Sequence, residues 1–216
     1  MNFIIIPVKS LELAKLRLST ILNSEQRKML CINMFKDVIQ AANSTKRTNK
    51  IVTVSSDPAI LDIGSQFGDI ISEQSETNIN ESINSAIKFT MKKNADSVLI
   101  IPGDIPLITS NDIDQIFNYD IDPPIVIISP SLRRNGTNLL FLMPSDIIKI
   151  EYGEDSFQKH IEKARNIENQ NLIIHNSRNI GLDIDLPEDI SLFLKSPSQT
   201  LTYQYLTKIK LKGSLG

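Results

Sequence analysis

The feature that most constrains the fold of this chain is a regular alternation of short, largely apolar runs with longer amphipathic segments. The apolar runs occupy residues 3–8, 51–54, 70–71, 97–101, 125–128, 139–143 and 172–174, and helical spacing of apolar residues fills most of the intervals between them. Strands that are apolar on both faces are typical of a sheet covered by helices on both sides. The alternation therefore predicts an α/β fold, a three-layer α/β/α sandwich around a mostly parallel mixed sheet.

Capping residues mark where several of the helices should begin. Ser24 is a plausible cap for the first long helix, and Thr109 with Asp112 resembles a capping box. Asp185 followed by Pro187 predicts another helix start, with the aspartate as its cap. We expect residues 1–195 to form one domain. Residues 196–216 form a C-terminal helical tail, in which 196–199 are a linker and 201–211 a helix that docks on the domain or on a second subunit.

Composition excludes several classes of protein. The 216 residues carry 23 Lys and Arg against 25 Asp and Glu, a balance that argues against a nucleic-acid-binding protein. One cysteine, Cys31, excludes an intramolecular disulfide and a cysteine-rich zinc site. The chain contains neither a P-loop pattern nor G-x-G-x-x-G, so any nucleotide chemistry uses another scaffold. The first apolar run is too short for a signal peptide and no run is long enough to cross a bilayer, which predicts a cytoplasmic protein with no membrane partner.

Basic residues follow the first predicted strand. Lys9, Lys15 and Arg17 lie within nine residues of one another, just past the point where that strand ends. Ligands of open α/β sheets bind at the carboxyl ends of strands, so these cations are placed to neutralise phosphates. The alternative is an ordinary solvated helix face.

Aspartates follow two other apolar runs. Asp104 lies three positions past the apolar run 97–101 and is held between two prolines. Asp183 and Asp185 lie two apart on a segment expected to be extended, which directs them to the same side. Fixed carboxylates at strand ends suit magnesium, which uses one or two protein carboxylates together with phosphate oxygens and water. The alternative for Asp104 is a turn cap. Spacing alone leaves open which of Asp183 and Asp185 would hold the metal and which would cap the next helix.

Two further segments offer anion-binding groups. Thr137 lies in a Gly-Thr-Asn sequence before an apolar run, and the stretch from Gly153 to Ser156 leads into a helix N-terminus, where backbone N–H groups favour anions. Ser156 is alternatively a plain helix cap, and His160, one turn further on, is more typical of a structural histidine. Cations, carboxylates and anion pockets together indicate nucleotidyl or phosphoryl transfer by positioning and charge neutralisation.

The order of these motifs resembles one known family. Ile6-Pro7-Val8-Lys9, Ala14-Lys15-Leu16-Arg17-Leu18, residues 102–107, Gly136-Thr137-Asn138, Tyr152-Gly153 with Ser156 and His160, and Asp183-Ile184-Asp185 occur as in the 2-phospho-L-lactate guanylyltransferases of the CofC type, up to about Leu194. The resemblance implies a Rossmann-like nucleotide-diphospho-sugar-transferase fold. It implies transfer of GMP from GTP to 2-phospho-L-lactate, or to phosphoenolpyruvate, in the biosynthesis of coenzyme F-420. The rich usage of Ile, Asn and Lys is compatible with an archaeal source.

The resemblance also implies roles for individual residues. Asp104 with Asp183 or Asp185 would hold magnesium, and Lys15 and Lys9 would contact phosphates. Thr137, Gly153 and Ser156 would bind the acid substrate, Asn84 would lie near the nucleotide, and the protein would be a homodimer. Related nucleotidyltransferases carry a glycine-rich stretch after the first strand, which residues 10–17 lack.

Other functions remain open at this level. The acceptor could instead be a molybdopterin or a sugar phosphate, or the chain could be a non-catalytic nucleotide-binding module. The sequence does not decide between guanine and adenine, or between phospholactate and phosphoenolpyruvate.

Overall fold

The computed structural model describes residues 1–12, 14–48, 50–74, 78–168 and 171–209. A seven-stranded sheet forms the centre, with strand order β3-β2-β1-β4-β6-β5-β7. Its strands are β1 (Asn2–Pro7), β2 (Lys50–Ser55), β3 (Asp69–Ser72), β4 (Ser97–Ile100), β5 (Ile125–Pro130), β6 (Thr137–Met143) and β7 (Asn171–Ile174). Only β6 runs against its neighbours β4 and β5, and the remaining pairs are parallel. The predicted mixed, mostly parallel sheet is confirmed.

Helices connect the strands and cover both faces of the sheet. They are α1 (Ser24–Asn43), α2 (Pro58–Ser65), α3 (Ile79–Lys92), α4 (Ser110–Phe117), α5 (Ser156–Arg165), α6 (Arg178–Gly181), α7 (Pro187–Leu194) and α8 (Leu201–Lys208), with a 3₁₀ turn at Leu16–Leu18. The sequence did not predict the short α6 or the 3₁₀ turn. No helix among the described residues is sufficiently long and apolar to traverse a bilayer.

Alternate residues of each central strand supply two separate hydrophobic cores. In β1, Ile4 and Ile6 pack beneath α1, α4 and α7, whereas Phe3 and Ile5 pack against α3 and α5 on the other face. All four side chains are fully buried, which is the burial expected of strands covered on both sides. The three-layer arrangement follows from this two-faced burial.

Two of the predicted helix caps are wrong by one residue each. The cap of α1 is Asn23, whose side chain accepts the Gln26 N–H, rather than Ser24, which is the first helical residue. At α7, the Asp189 carboxylate accepts the N–H groups of Asp185 and Leu186, so Asp185 is not the cap. A carboxylate in the first turn can satisfy these N–H groups as well as one that precedes the helix. Asp185 is therefore left free for another role.

The C-terminal helix α8 docks on its own domain. The Asp37 carboxylate of α1 accepts hydrogen bonds from the N–H groups of Leu201 and Thr202 and from the Thr202 hydroxyl, at 2.6–2.9 Å. Thr202 and Leu206 are buried against the core. Of the two dockings left open by the sequence, the structure has the one within the chain. The predicted residues 210 and 211 of this helix lie outside the described part.

Candidate functional site

A cleft of about 1300 Å³ opens at the carboxyl ends of β1, β2, β3 and β4. Because β6 is antiparallel, its first residues reach the same edge of the sheet, and Gly136 lines the cleft beside them. The predicted site residues Lys9, Lys15, Asp104, Asp183, Asp185 and Gly153 all line this one cleft. The structure thus brings together residues from four distant parts of the sequence.

Lys15 joins the two acidic segments at the floor of the cleft. Its Nζ lies 2.6 Å from Asp104 Oδ2 and 2.5 Å from Asp185 Oδ1, and its side chain is only 11% exposed. The Lys15 backbone is left-handed, with φ 51° and ψ 44°, a conformation that costs energy for a residue other than glycine. Such strain at a site where charges converge indicates that the position of this ammonium is maintained for function.

The segment carrying Asp183 and Asp185 is fixed to the rest of the site through backbone and amide contacts. The Ile184 N–H donates to the Asp104 carbonyl at 3.2 Å. The Asn138 amide donates to the carbonyls of Ile180 and Gly181 and to Asp183 Oδ1, each at 3.0 Å. The three carboxylates are therefore held by a shared scaffold.

Charge and burial shift the pKa values of Lys15, Asp185 and Asp183. Burial alone would lower the pKa of the Lys15 ammonium, but Asp104 and Asp185 outweigh it and raise that pKa. Burial alone would raise the pKa of Asp185, and Lys15 lowers it instead. The pKa of Asp183 is raised, first by burial and then by the neighbouring Asp104 charge. Lys15 thus keeps its positive charge beside Asp185, and a further cation would stabilise the charged form of Asp183.

The loop between β6 and α5 forms the opposite wall of the cleft. Gly153 has φ +126°, a conformation that favours glycine, and Asn80 exchanges two hydrogen bonds with the Tyr152 backbone. His160 Nε2 accepts the Glu151 N–H at 3.0 Å, so the proton of the neutral ring lies on Nδ1, which donates to Thr137 Oγ1 at 2.9 Å. Burial lowers the pKa of His160 to about 4, which keeps the ring neutral. His160 is a buried structural residue that orders this loop.

Three of the predicted site residues do not line the cleft. Thr137 and Ser156 are buried, and the Thr137 N–H donates to Ser156 Oγ at 3.0 Å. Thr137 follows the lining residue Gly136 by one position and Ser156 follows Gly153 by three, so their predicted contact with substrate stays a prediction. Asn84 lies on α3, whose lining residues are Ile79 and Ser82 instead.

Sequence reasoning missed several lining residues. They are Cys31 and Met34 of α1, Glu73 and Gln74 after β3, Ser82 of α3, and Ser131 and Asn135 before β6. The position of Glu73 two residues past the apolar run 70–71 was the signal that could have found it, by the same argument that found Asp104. The α1 residues carry no such signal, because a helix interior with buried apolar side chains does not indicate a site.

The donors at this site fit a hard divalent cation such as magnesium. Carboxylate oxygens are its preferred protein ligands, and Asp104 and Asp185 already share one cation, the Lys15 ammonium. Across the described ranges, no three His, Cys, Asp or Glu side chains are spaced to enclose a metal by themselves. Magnesium does not require such an enclosure, because it keeps water and takes phosphate oxygens from its substrate.

Comparison with solved structures defines the class of fold. A Desulfovibrio desulfuricans protein described as a nucleotide-diphospho-sugar transferase superposes with a TM-score of 0.75 at 18% identity, covering 96% of this chain and 94% of that one. A nucleotidyl transferase from Methanothermobacter gives 0.60 at 12% identity, over 89% and 95% of the two chains. The chain has the nucleotidyltransferase fold of this group.

Sequence comparison then identifies the family. The model of the family described as guanylyl transferase CofC like matches residues 2–215, and the chain belongs to that family. The 2-phospho-L-lactate guanylyltransferase of Methanocaldococcus jannaschii is 39% identical over 214 residues, 95% of this chain and 88% of that protein. The phosphoenolpyruvate guanylyltransferase of Thermobaculum terrenum is 28% identical over 187 residues, 87% and 80% of the two chains. The family resemblance seen in the motifs is confirmed.

Proposed function

We propose that this protein transfers GMP from GTP to 2-phospho-L-lactate, giving lactyl-2-diphospho-5′-guanosine and pyrophosphate in the biosynthesis of coenzyme F-420. The observation that carries this proposal is the convergence of Asp104, Asp185 and Lys15 in one cleft of a chain from the guanylyltransferase family. Relatives at 33–39% identity bear the name of this activity.

The reaction joins two anions, and the site supplies the charge that this requires. A phosphate oxygen of the acid attacks the α-phosphorus of GTP, a new P–O bond forms, and the bond to the β-phosphate oxygen breaks to release pyrophosphate. Magnesium, held by Asp104 and Asp185 with Asp183 nearby, would neutralise phosphate charge. Lys15 would stabilise the charge that develops on the leaving pyrophosphate, and Lys9, an exposed residue that lines the cleft, would attract the triphosphate.

The acceptor would bind against the loop between β6 and α5. The backbone N–H groups of Gly153, Glu154 and Asp155 donate to no acceptor in the described part of the chain. Gly153 and Glu154 line the cleft immediately before the N-terminus of α5, where the helix dipole favours an anion. A carboxylate or phosphate of a three-carbon acid fits this wall, on the side of the cleft where Gly136 and Asn135 also lie.

The test is acceptor-dependent release of pyrophosphate by the purified protein with GTP and magnesium. We expect release with 2-phospho-L-lactate, and mass spectrometry should show the diphosphate-linked product. Release with phosphoenolpyruvate at higher kcat/KM would identify that acid as the substrate, in line with the Thermobaculum relative. Release only with a molybdopterin or a sugar phosphate, or with no acceptor in the panel, would contradict the proposal.

A further inference from the structure

The cleft also contains the carboxylate of Glu73, at the end near β3. The proposed transfer reaction gives this carboxylate no role. Glu73 follows the last residue of β3, and its N–H donates to the Ser55 carbonyl at 3.1 Å, which fixes its backbone to β2. Its Oε2 accepts the Ser82 hydroxyl of α3 at 2.5 Å. Oε1 has no hydrogen-bond partner among the described residues, and each carboxylate oxygen can accept more than one bond. The side chain is thus held in place with accepting capacity to spare.

The walls around Glu73 are apolar and come from three elements. Pro7 ends β1, Val54 lies near the end of β2, and Ile79 begins α3, and all three line the cleft. Ser56 and Gln74 add polar groups beside them. Apolar walls with a few fixed polar groups are the usual composition of a site for a flat heterocycle.

Charge separates this end of the cleft from the phosphate end. No described Lys or Arg forms an ion pair with Glu73, so an anionic group would be repelled there. Burial raises the pKa of this carboxyl, which is what an acid without a cation partner shows. Glu73 follows β3 and Asp104 follows β4, which are three strand spacings apart, or ~14 Å. A nucleotide with its phosphates near Lys15 and Asp104 would therefore place its neutral end at Glu73.

We propose that Glu73 recognises the guanine base, accepting hydrogen bonds from N1–H and the 2-amino group. This inference rests on the proposed function, and it assigns the choice of nucleotide to one side chain. Guanine presents two adjacent donors on that edge, which match the two oxygens of a carboxylate. Adenine presents the lone pair of N1 at the same position, and a carboxylate would repel it. The Ser82 hydroxyl holds one oxygen of the carboxylate in place, and Gln74, which also lines the cleft, would donate to guanine O6.

The experiment measures the equilibrium affinity of the non-reactive α,β-methylene analogues of GTP, inosine triphosphate and ATP, in magnesium and without acceptor. Inosine triphosphate retains N1–H and O6 but lacks the 2-amino group. The variants are Glu73→Gln, Ser82→Ala and, as a matched control, Glu12→Gln, which removes another glutamate lining the cleft. A paired set of base contacts contributes about 10–100-fold in discrimination. Circular dichroism checks the fold of each variant.

We expect the wild type and Glu12→Gln to bind the GTP analogue about 10–100-fold more tightly than the ATP analogue, with the inosine analogue between them. Glu73→Gln should lose most of that preference by weakening the GTP analogue alone. Ser82→Ala keeps the carboxylate but removes its orienting donor, and its preference for the GTP analogue over the ATP analogue should fall about 3–10-fold. This variant tests the proposal should Glu73→Gln fail to fold. If folded Glu73→Gln, or Ser82→Ala in its place, kept the wild-type preference for guanine, the proposed role of Glu73 would be overturned. The proposal of guanylyl transfer would not be affected. A wild type without preference for guanine would overturn both.

Discussion

Replacing Lys15 with methionine tests whether its ammonium is the resident counter-ion of the two carboxylates. Methionine fills a similar volume but leaves Asp104 and Asp185 without the cation that lies 2.6 and 2.5 Å from their oxygens. Breaking a fully buried pair costs about 3–5 kcal/mol, and an exposed pair contributes about 0–1 kcal/mol. The carboxylate side chains are 29% and 40% exposed, which places the expected loss at about 1–2 kcal/mol. For a chain of this length that loss lowers Tm by about 2–8 °C.

The same variant should respond to magnesium more strongly than the wild type. With the ammonium gone, the carboxylates bind a divalent cation without competition, and a ligand that binds the folded state stabilises it. The assay is thermal unfolding with a chelator and with excess magnesium, and Lys9→Met, which removes an exposed cleft lysine, is the control. The reasoning would be refuted if Lys15→Met had the same Tm as the wild type in chelator. It would also be refuted if magnesium raised the Tm of Lys15→Met no more than that of the wild type.

Three further substitutions probe the site, the loop wall and the tail. Asp104→Asn should lower kcat by about 10²–10³ with an unchanged circular dichroism spectrum, whereas Glu12→Gln should leave steady-state turnover near wild type. His160 is buried and its pKa is lowered to about 4, so as the pH falls the unfolded chain takes up this proton before the folded one does. The free energy of unfolding is therefore unaffected by this group above pH 6.5 and falls by roughly 3 kcal/mol towards pH 4. In urea titrations across this range His160→Gln should flatten that part of the decline, and parallel curves would contradict the assignment. Asp37→Ala removes three hydrogen bonds to α8, so urea unfolding should show a loss of about 1–3 kcal/mol, with no change of mass in solution; dissociation into smaller species would contradict docking within the chain.

The fold was predictable because its signals are local. Each apolar run in the sequence became a strand, and Thr109 with Asp112 caps a helix as predicted. The misplaced caps at Ser24 and Asp185 have a common cause. Several neighbouring side chains can satisfy the same free N–H groups, and only the path of the chain decides which one does.

The candidate site was predictable only in part, because contact between distant segments is not encoded in any one of them. The rule that ligands lie at strand ends correctly gathered Lys15, Asp104 and Asp185 into one cleft. It could not show that the lysine lies between the two acids, since that depends on the left-handed turn at Lys15. Nor could it show that Thr137 is turned towards His160, which lies 23 positions further along the chain.

Because β6 runs in the opposite direction, the edge of the sheet that carries the cleft is formed by two structurally separate groups of strands. The strands β3, β2, β1 and β4 meet the cleft with their carboxyl ends, whereas β6 meets it with its amino end. The hairpin from β5 to β6 and the loop before α5 can therefore change length without altering the register of the parallel strands. If the acceptor binds on the β6 side of the cleft as proposed, exchanging residues 131–136 and 151–155 for those of a relative should transplant acid selectivity and leave the choice of nucleotide untouched. Such a division offers evolution, or an engineer, a route to new acceptors on an unchanged nucleotide platform.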